Sequence, residues 1–230
     1  MKGSTMEALP KYTVYKSKRR SIRLTLRSNG TFAVYCPKGC PKSQIEEIVR
    51  KNYEQLLNKF NSRPDPLVSE NGELSLPLFG ARYPVVFSES KHFCFDGAQF
   101  SSPVKDLEKN KSLYKDYLRN VTKECISHLL SEIADANGLS YNGYTVKAMY
   151  SRYGSCSGKK HLNFSLALGA FDEEFIRFVV CHELCHTVHM NHGMDFYALL
   201  SKLCPEHMSI RKNGARERSE ILKAISINRS

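Results

Sequence analysis

The stretch FDEEFIRFVVCHELCH, residues 171–186, has the hydrophobic periodicity of one amphipathic helix. Asp172 is a favourable N-cap, and Glu173 and Glu174 would stabilise the first turn through the helix dipole. The stretch ends in His182-Glu183-Leu184-Cys185-His186, an H-E-x-x-H pentapeptide. We therefore expect one helix that starts at Asp172 and carries this pentapeptide.

The spacing of the two histidines indicates a metal site. Residues four apart lie on one face of a helix, about one turn from each other, so His182 and His186 can direct both imidazoles at one ion. Glu183 follows the first histidine and can take a proton from a water molecule on that ion. The pentapeptide therefore predicts a metal-dependent hydrolase with Glu183 as general base.

A third ligand is needed, because a catalytic zinc ion commonly has three protein ligands and one open position. We expect His192, since Asn191 and Gly193 beside it tolerate the backbone conformations that turn a chain back on itself. His189, on the same helical stripe, and Glu206 are the alternatives. A further interpretation is that the histidines only pack within a helix and bind no metal.

The composition is that of an ordinary globular protein with an excess of positive charge. Of the 230 residues, 41% are hydrophobic and 25% are charged, which argues against wholesale disorder. The net charge is +11 and the pI is about 9.3. This charge fits either an anionic partner, such as nucleic acid, or simply a basic enzyme.

The cysteine pattern and the length of the apolar runs indicate the cellular location to expect. The eight cysteines include no C-x-x-C pair, and the chain opens on polar residues that do not read as a signal peptide. No apolar run reaches the ~20 residues of a membrane span. We therefore expect reduced thiols, no membrane segment and a cytoplasmic location.

Periodicity along the chain predicts two regions in an α+β fold. The first, residues 1–103, is expected to be an antiparallel β-rich region with one helix from Ser43 to about Phe60 and a hairpin turn at Asn29-Gly30. The second, residues 104–230, is expected to be the catalytic domain. It begins with a long helix over 107–137 that stops at Gly138, and it has strands over 145–150 and 162–165.

Several segments resemble the YgjP-like metallopeptidases, a family related to the SprT-like zinc proteases. The matching segments are Arg152-Tyr153-Gly154-Ser155-Cys156-Ser157, Leu162-Asn163-Phe164, Val179 to His186, Asn191-His192-Gly193 and Phe196-Tyr197. The strand Ser21-Ile22-Arg23-Leu24, the Asn29-Gly30 turn and Pro37 are similar to the N-terminal sheet of the family.

The resemblance implies a zincin-like catalytic domain after an N-terminal β-rich region. It also implies zinc on His182, His186 and His192, with Glu183 as general base. The family usually has Trp where this chain has Tyr153, Phe164 and Tyr197, and commonly Arg at Ser165. SprT-like repair proteases often add a C-x-x-C zinc ribbon, which this sequence lacks.

The segment from Arg152 to Ser157 has two interpretations. It is either a substrate loop, in which Arg152 binds an anionic group supported by Ser155 or a backbone N–H, or a structural turn anchored to the core. The two interpretations remain open on the sequence alone.

The sequence favours a zinc metallopeptidase, because a metal-activated water and a general base suffice for amide hydrolysis. The alternative within the hydrolases is a nucleotide pyrophosphatase, suggested by Arg152, by the net charge and by that assignment for some YgjP-like proteins. The alternative of another class is a non-enzymatic nucleic-acid-binding zinc module.

Another divalent first-row ion could replace zinc, since His-rich sites discriminate weakly by affinity. The oligomeric state is not predicted.

Overall fold

The computed structural model describes residues 9–26, 31–61, 65–69, 71–89, 91–149 and 151–226. Small sheets and six helices in these residues confirm the predicted α+β class. The chain divides between Asp65 and Pro66 into an N-terminal unit and a second unit, Pro66–Ser226. None of the described helices combines the length and the apolar character needed to cross a membrane.

The described part of the N-terminal unit is a three-stranded sheet with one helix. Its elements are β1 (Tyr12–Ser17), β2 (Arg23–Leu26), β3 (Phe32–Pro37) and α1 (Lys42–Asn61). β3 lies in the middle, antiparallel to β2 and parallel to β1. The hairpin turn predicted at Asn29-Gly30 falls outside the described residues. The antiparallel pairing that the sequence predicted is wrong for β1. Strand β3 lies between β1 and β2 and runs antiparallel to β2, so it runs in the same direction as β1.

The described residues of the second unit form two further sheets and five helices. Strands β4 (Ser75–Leu78), β5 (Ala81–Phe87), β6 (Cys94–Phe95) and β7 (Phe100–Ser102) form a sheet of order β4-β5-β7-β6. Strands β8 (Tyr144–Lys147), β9 (Gly154–Cys156) and β10 (Leu162–Ser165) form a sheet of order β8-β10-β9. The helices are α2 (Leu107–Asn137), α3 (Glu173–Cys185), α4 (Met194–Leu203), α5 (His207–Lys212) and α6 (Ala215–Ser226).

The units divide at a different place from the predicted boundary at 103/104. Strands β4 and β7 bury Leu76, Leu78 and Phe100 in the same core as Tyr114 and Leu118 of α2. The Tyr114 hydroxyl also donates a hydrogen bond to the Pro77 carbonyl. Residues 66–103 therefore share a core with the helix that follows them, and local periodicity along the sequence carries no sign of that long-range packing.

The start predicted for α3 at Asp172 and the stop predicted for α2 at Gly138 are confirmed, whereas α1 begins at Lys42, one residue before the predicted Ser43. The Asp106 and Asp172 side chains accept hydrogen bonds from the first turns of α2 and α3, and Gly138 ends α2 in the left-handed conformation with φ of 62°. A 3₁₀ turn, Leu166–Ala170, leads into α3. Thr122 of α2 anchors this turn, since its hydroxyl donates to Leu166 O and accepts from Gly169 N. These hydrogen bonds therefore hold the turn that precedes α3 against α2.

Candidate metal centre

The end of α3 brings the pentapeptide to a turn in the chain. His182 and Glu183 lie in the last turn of the helix, and His186 is its C-cap, still in the right-handed helical conformation. The buried Thr187 closes the helix, because its hydroxyl donates to Leu184 O at 2.7 Å. The chain then returns to α4, whose N-cap is Gly193. His192 therefore directly precedes the N-cap of α4. The chain turns here, as Asn191 and Gly193 predicted.

The side chains of the three histidines predicted as ligands lie close together. His182, His186 and His192 each offer a ligand nitrogen, and these nitrogens lie within 4.8 Å of one another. The Nε2 atoms of His182 and His192 are 3.2 Å apart. Within the described part of the chain, no other His, Cys, Asp or Glu joins this group, so the alternative ligands His189 and Glu206 lie outside it. The three imidazoles fit the donor set that zinc prefers.

The electrostatic state of the imidazoles suits metal binding. Burial, together with the neighbouring His186 and His192, lowers the pKa of His182 to about 4. Burial is also the main cause that lowers the pKa of His186. Both rings are therefore neutral at neutral pH, as a ligand must be. Nδ1 of His186 lies 3.1 Å from His189 O, which places the proton on Nδ1 and leaves the lone pair on Nε2.

Phe196 of α4 is a part of the centre to which the sequence assigned no role. Its ring is fully buried, and its centroid lies 5.1, 4.7 and 4.6 Å from the rings of His182, His186 and His192. One aromatic side chain thus packs against all three imidazoles and limits their rotation. Only the contact of α4 with the end of α3 reveals this.

Glu183 is buried beside the cluster with only 5% of its surface exposed. Burial raises the pKa of Glu183 to about 8, although the positive charge of Arg152 lowers it in part. Its Oε2 atom is buried and has no hydrogen-bond partner among the described residues. A buried carboxylate oxygen of this kind has an unmet need for a donor, which a water molecule on a cation would meet.

Gly154 of β9 lies directly against this carboxylate. A Cβ atom at position 154 would stand 2.6 Å from both Cγ and Oε1 of Glu183, closer than real carbon contacts come. Any side chain here would therefore displace Glu183. Gly154 belongs to the motif around Arg152, but sequence reasoning assigned it no role, since the contact joins a strand to a helix almost thirty residues later.

A cleft of about 420 Å³ opens over the centre. Its lining includes Arg152, Gly154, His182, Glu183, His192 and, from α5, Arg211. Both arginines are exposed, and none of the ion pairs between described residues involves either of them. Ser155, the other predicted substrate residue, pairs with Asn163 of β10 and does not line the cleft. Arg211 was missed as a site residue, since only the packing of α5 brings it here.

Arg218 of α6 holds the segment that carries Arg211. Its guanidinium donates to Ile210 O at 2.8 Å and stacks 3.9 Å from the centroid of the Phe175 ring in α3. Phe175 in turn contacts Tyr153 edge to face, with centroids 4.9 Å apart. This chain of contacts ties α5, α3 and the start of β9 together around the cleft.

Among the described strands, β9 lies at one edge of its sheet. In its antiparallel register with β10, Ser165 N donates to Tyr153 O and Ser157 N donates to His161 O. Backbone groups alternate in direction along such a strand, so Gly154 and Cys156 turn theirs away from β10. The open edge of β9 thus begins at the glycine that contacts Glu183.

The sequence of the chain matches one family of known proteins. The profile of the YgjP-like metallopeptidase domain matches residues 20–213, which is most of the chain. The crystal structure of the metallopeptidase zymogen jannalysin, from Methanocaldococcus jannaschii, is 26% identical over 36% of this chain and 90% of that one, with a TM-score of 0.31. No curated protein matches the chain. A metallopeptidase family implies a divalent metal and supports a metal-dependent hydrolase. On the extent of the profile match, the chain belongs to the YgjP-like family.

Proposed function

We propose that the second unit is a zinc-dependent metallopeptidase in which His182, His186 and His192 hold the ion and Glu183 is the general base. The observation that carries the proposal is the open edge of β9, which runs from Gly154 beside Glu183 and lies next to the three-histidine cluster. A cleft bordered by a free strand edge suits an extended peptide.

The chain's own residues supply the proton transfers. When bound, a zinc ion lowers the pKa of a water molecule and polarises the group to be cleaved. Glu183 takes the proton of the attacking water at Oε2 and passes it to the leaving amine. Burial of this carboxylate favours its protonated form, and the charge of Arg152 opposes that. A bound cation would oppose it further and keep Glu183 able to act as a base.

The substrate is proposed to lie along β9 as an added strand. Main-chain hydrogen bonds to the edge of a sheet bind peptides without demanding one sequence. The outward N–H and C=O groups of Gly154 and Cys156 would hold the substrate backbone beside the reacting bond. A nucleotide has no backbone of this kind, so the strand edge favours peptide hydrolysis over nucleotide hydrolysis.

Arg152 and Arg211 are proposed to bind a negative group of the substrate. Both are exposed guanidinium groups in the lining of the cleft, and a guanidinium pairs with a carboxylate or a phosphate through two hydrogen bonds. No substrate contact is proposed for Ser155, because its side chain is not part of that lining and its backbone groups face Asn163 of β10. The same two arginines are the observation that favours a nucleotide pyrophosphatase as the second candidate.

Hydrolysis of casein and of nucleoside triphosphates by the zinc-loaded chain separates the two candidates. We expect peptide cleavage that a chelator abolishes and added zinc restores, without release of phosphate from the nucleotides. Release of phosphate without peptide cleavage would overturn the peptidase assignment in favour of the pyrophosphatase. Hydrolysis of neither would contradict both and favour the non-enzymatic nucleic-acid-binding zinc module.

Replacement of Gly154 by Ala is expected to lower the rate of peptide hydrolysis about 100-fold, the usual effect of misplacing a reacting group by about 1 Å. The new methyl group would overlap Glu183, and the carboxylate would have to move. Initial rates of the variant give the effect, while metal content and melting temperature report on the centre and the fold. We expect both of these to stay close to the wild-type values.

Gly158→Ala is the matched control for this substitution. Gly158 follows β9 within the same segment, and a Cβ atom there would have no neighbour within 4 Å. The control should therefore keep wild-type activity. Equal losses in the two variants would show that the segment, and not the contact with Glu183, sets the rate.

A further inference from the structure

The net positive charge of the protein is concentrated at its N-terminal end. Residues 1–65 contain 14 Lys and Arg against 5 Asp and Glu, whereas the remaining 165 residues contain 20 against 18. Nine of the eleven excess positive charges therefore precede the second unit. No acidic residue occurs between Glu7 and Glu46, a stretch with nine Lys and Arg. The metal centre does not account for this charge, because it lies in the other unit.

The sheet of the N-terminal unit turns one face away from its helix. The core with Ile45 and Val49 of α1 takes Leu24, Phe32, Val34 and Cys36 from the strands. Because side chains alternate along a strand, the residues between these belong to the opposite face. Tyr15 of β1, Tyr35 of β3 and Arg23 of β2 are paired in register across that face.

The exposed face combines aromatic rings with guanidinium groups. The rings of Tyr15 and Tyr35 stack with centroids 5.2 Å apart and an angle of 22°, and Tyr15 keeps 38% of its surface exposed. The guanidinium carbon of Arg19 lies 5.8 Å from the centroid of the Tyr35 ring. Its Nε atom has no hydrogen-bond partner among the described residues. We call Tyr15, Arg19, Arg23 and Tyr35 the tyrosine–arginine face.

A shallow depression of about 380 Å³ lies on this face. Arg19, Arg23, Thr25, Leu26 and Tyr35 line it. Arg23 is exposed, and the strands around the depression carry no carboxylate. The lining thus offers an aromatic ring and two cations to a ligand with a flat ring and a negative charge.

We propose that the tyrosine–arginine face binds single-stranded nucleic acid. Proteins that bind single strands combine aromatic side chains, on which bases stack, with cations that pair with the phosphates. The stacked tyrosines supply the first feature, and Arg19, Arg23 and the acid-free basic stretch supply the second. A duplex hides the faces of its bases, so this arrangement favours the single strand. An anionic membrane surface or an acidic protein would use the charge but would have no need of the tyrosine pair.

Fluorescence anisotropy with the full chain and a labelled 20-nucleotide oligothymidine tests the proposal. The double substitution Tyr15→Leu/Tyr35→Leu keeps every charge, and we expect it to weaken binding at least about tenfold through the loss of stacking. Tyr15→Phe/Tyr35→Phe keeps the rings and should keep the affinity. The phenylalanine variant shows whether the rings alone keep the affinity. Circular dichroism of both variants shows whether the N-terminal unit still folds.

Charge variants complete the test. Arg19→Gln/Arg23→Gln should weaken binding and make it less dependent on salt, because fewer counterions are released from the phosphates. Arg50→Gln/Lys51→Gln removes the same charge from exposed positions on α1 and should change affinity less than about twofold. Three results would each overturn the proposal. The first is an equal loss of affinity in these two charge variants, and the second is unchanged binding in the Tyr15→Leu/Tyr35→Leu variant. The third is binding to phosphatidylserine vesicles but not to the oligonucleotide.

Discussion

Glutamine in place of Glu183 is expected to lower peptide hydrolysis by about 100- to 10,000-fold, the usual contribution of a positioned general base. The two side chains have nearly the same size, so the close contact with Gly154 is kept. An amide cannot accept the proton of the attacking water. Metal content should not change, because Glu183 is not part of the histidine cluster. Initial rates, together with elemental analysis of the same sample, measure both effects.

Glu174→Gln is the matched control for this variant. Glu174 lies in the first turn of the same helix and is exposed, so the change removes one carboxylate from α3 without touching the centre. It should hydrolyse peptides at the wild-type rate. A Glu183→Gln variant that keeps its activity would exclude Glu183 as the base. A variant that loses its metal would make Glu183 a ligand and contradict the proposed division of roles.

Removal of the imidazole at position 192 is expected to weaken zinc binding by more than about 100-fold, since loss of a supporting hydrogen bond alone costs about 10- to 100-fold. His192→Ala leaves two ligand nitrogens of the three that now lie within 4.8 Å of one another. Hydrolysis should fall with the occupancy of the site. Competition with a chromophoric zinc chelator gives the dissociation constant directly.

His189→Ala tests whether position matters more than the number of histidines. The His189 side chain lies outside the cluster, and alanine would keep the carbonyl group that faces Nδ1 of His186. Zinc affinity should therefore stay within about twofold of the wild type, because the outer partner of His186 is retained. A large loss here together with a small loss in His192→Ala would exchange the roles of the two residues.

The parts of this protein that the sequence predicted are those that depend on neighbouring residues. Asp172 caps α3 through a hydrogen bond that spans three residues, and Gly138 ends α2 by its own backbone conformation. His182 and His186 share a helix, and His192 follows within one short turn. Local rules of capping and periodicity are sufficient for each of these features.

The parts that the sequence did not predict depend on contacts between distant segments. Gly154 meets Glu183, Phe196 packs against all three imidazoles, and Arg211 reaches the cleft because Arg218 holds its segment. The parallel pairing of β1 with β3 is of the same kind. Such contacts follow from how the elements pack, which the order of residues along one element does not reveal.

Anomalous diffraction from crystals of the zinc-loaded chain, collected just above the zinc absorption edge, tests the central claim most directly. The account predicts a single peak within about 2.0–2.1 Å of the Nε2 atoms of His182, His186 and His192, the distance usual for zinc and imidazole. A peak held by other residues, or no peak next to His192, would contradict it.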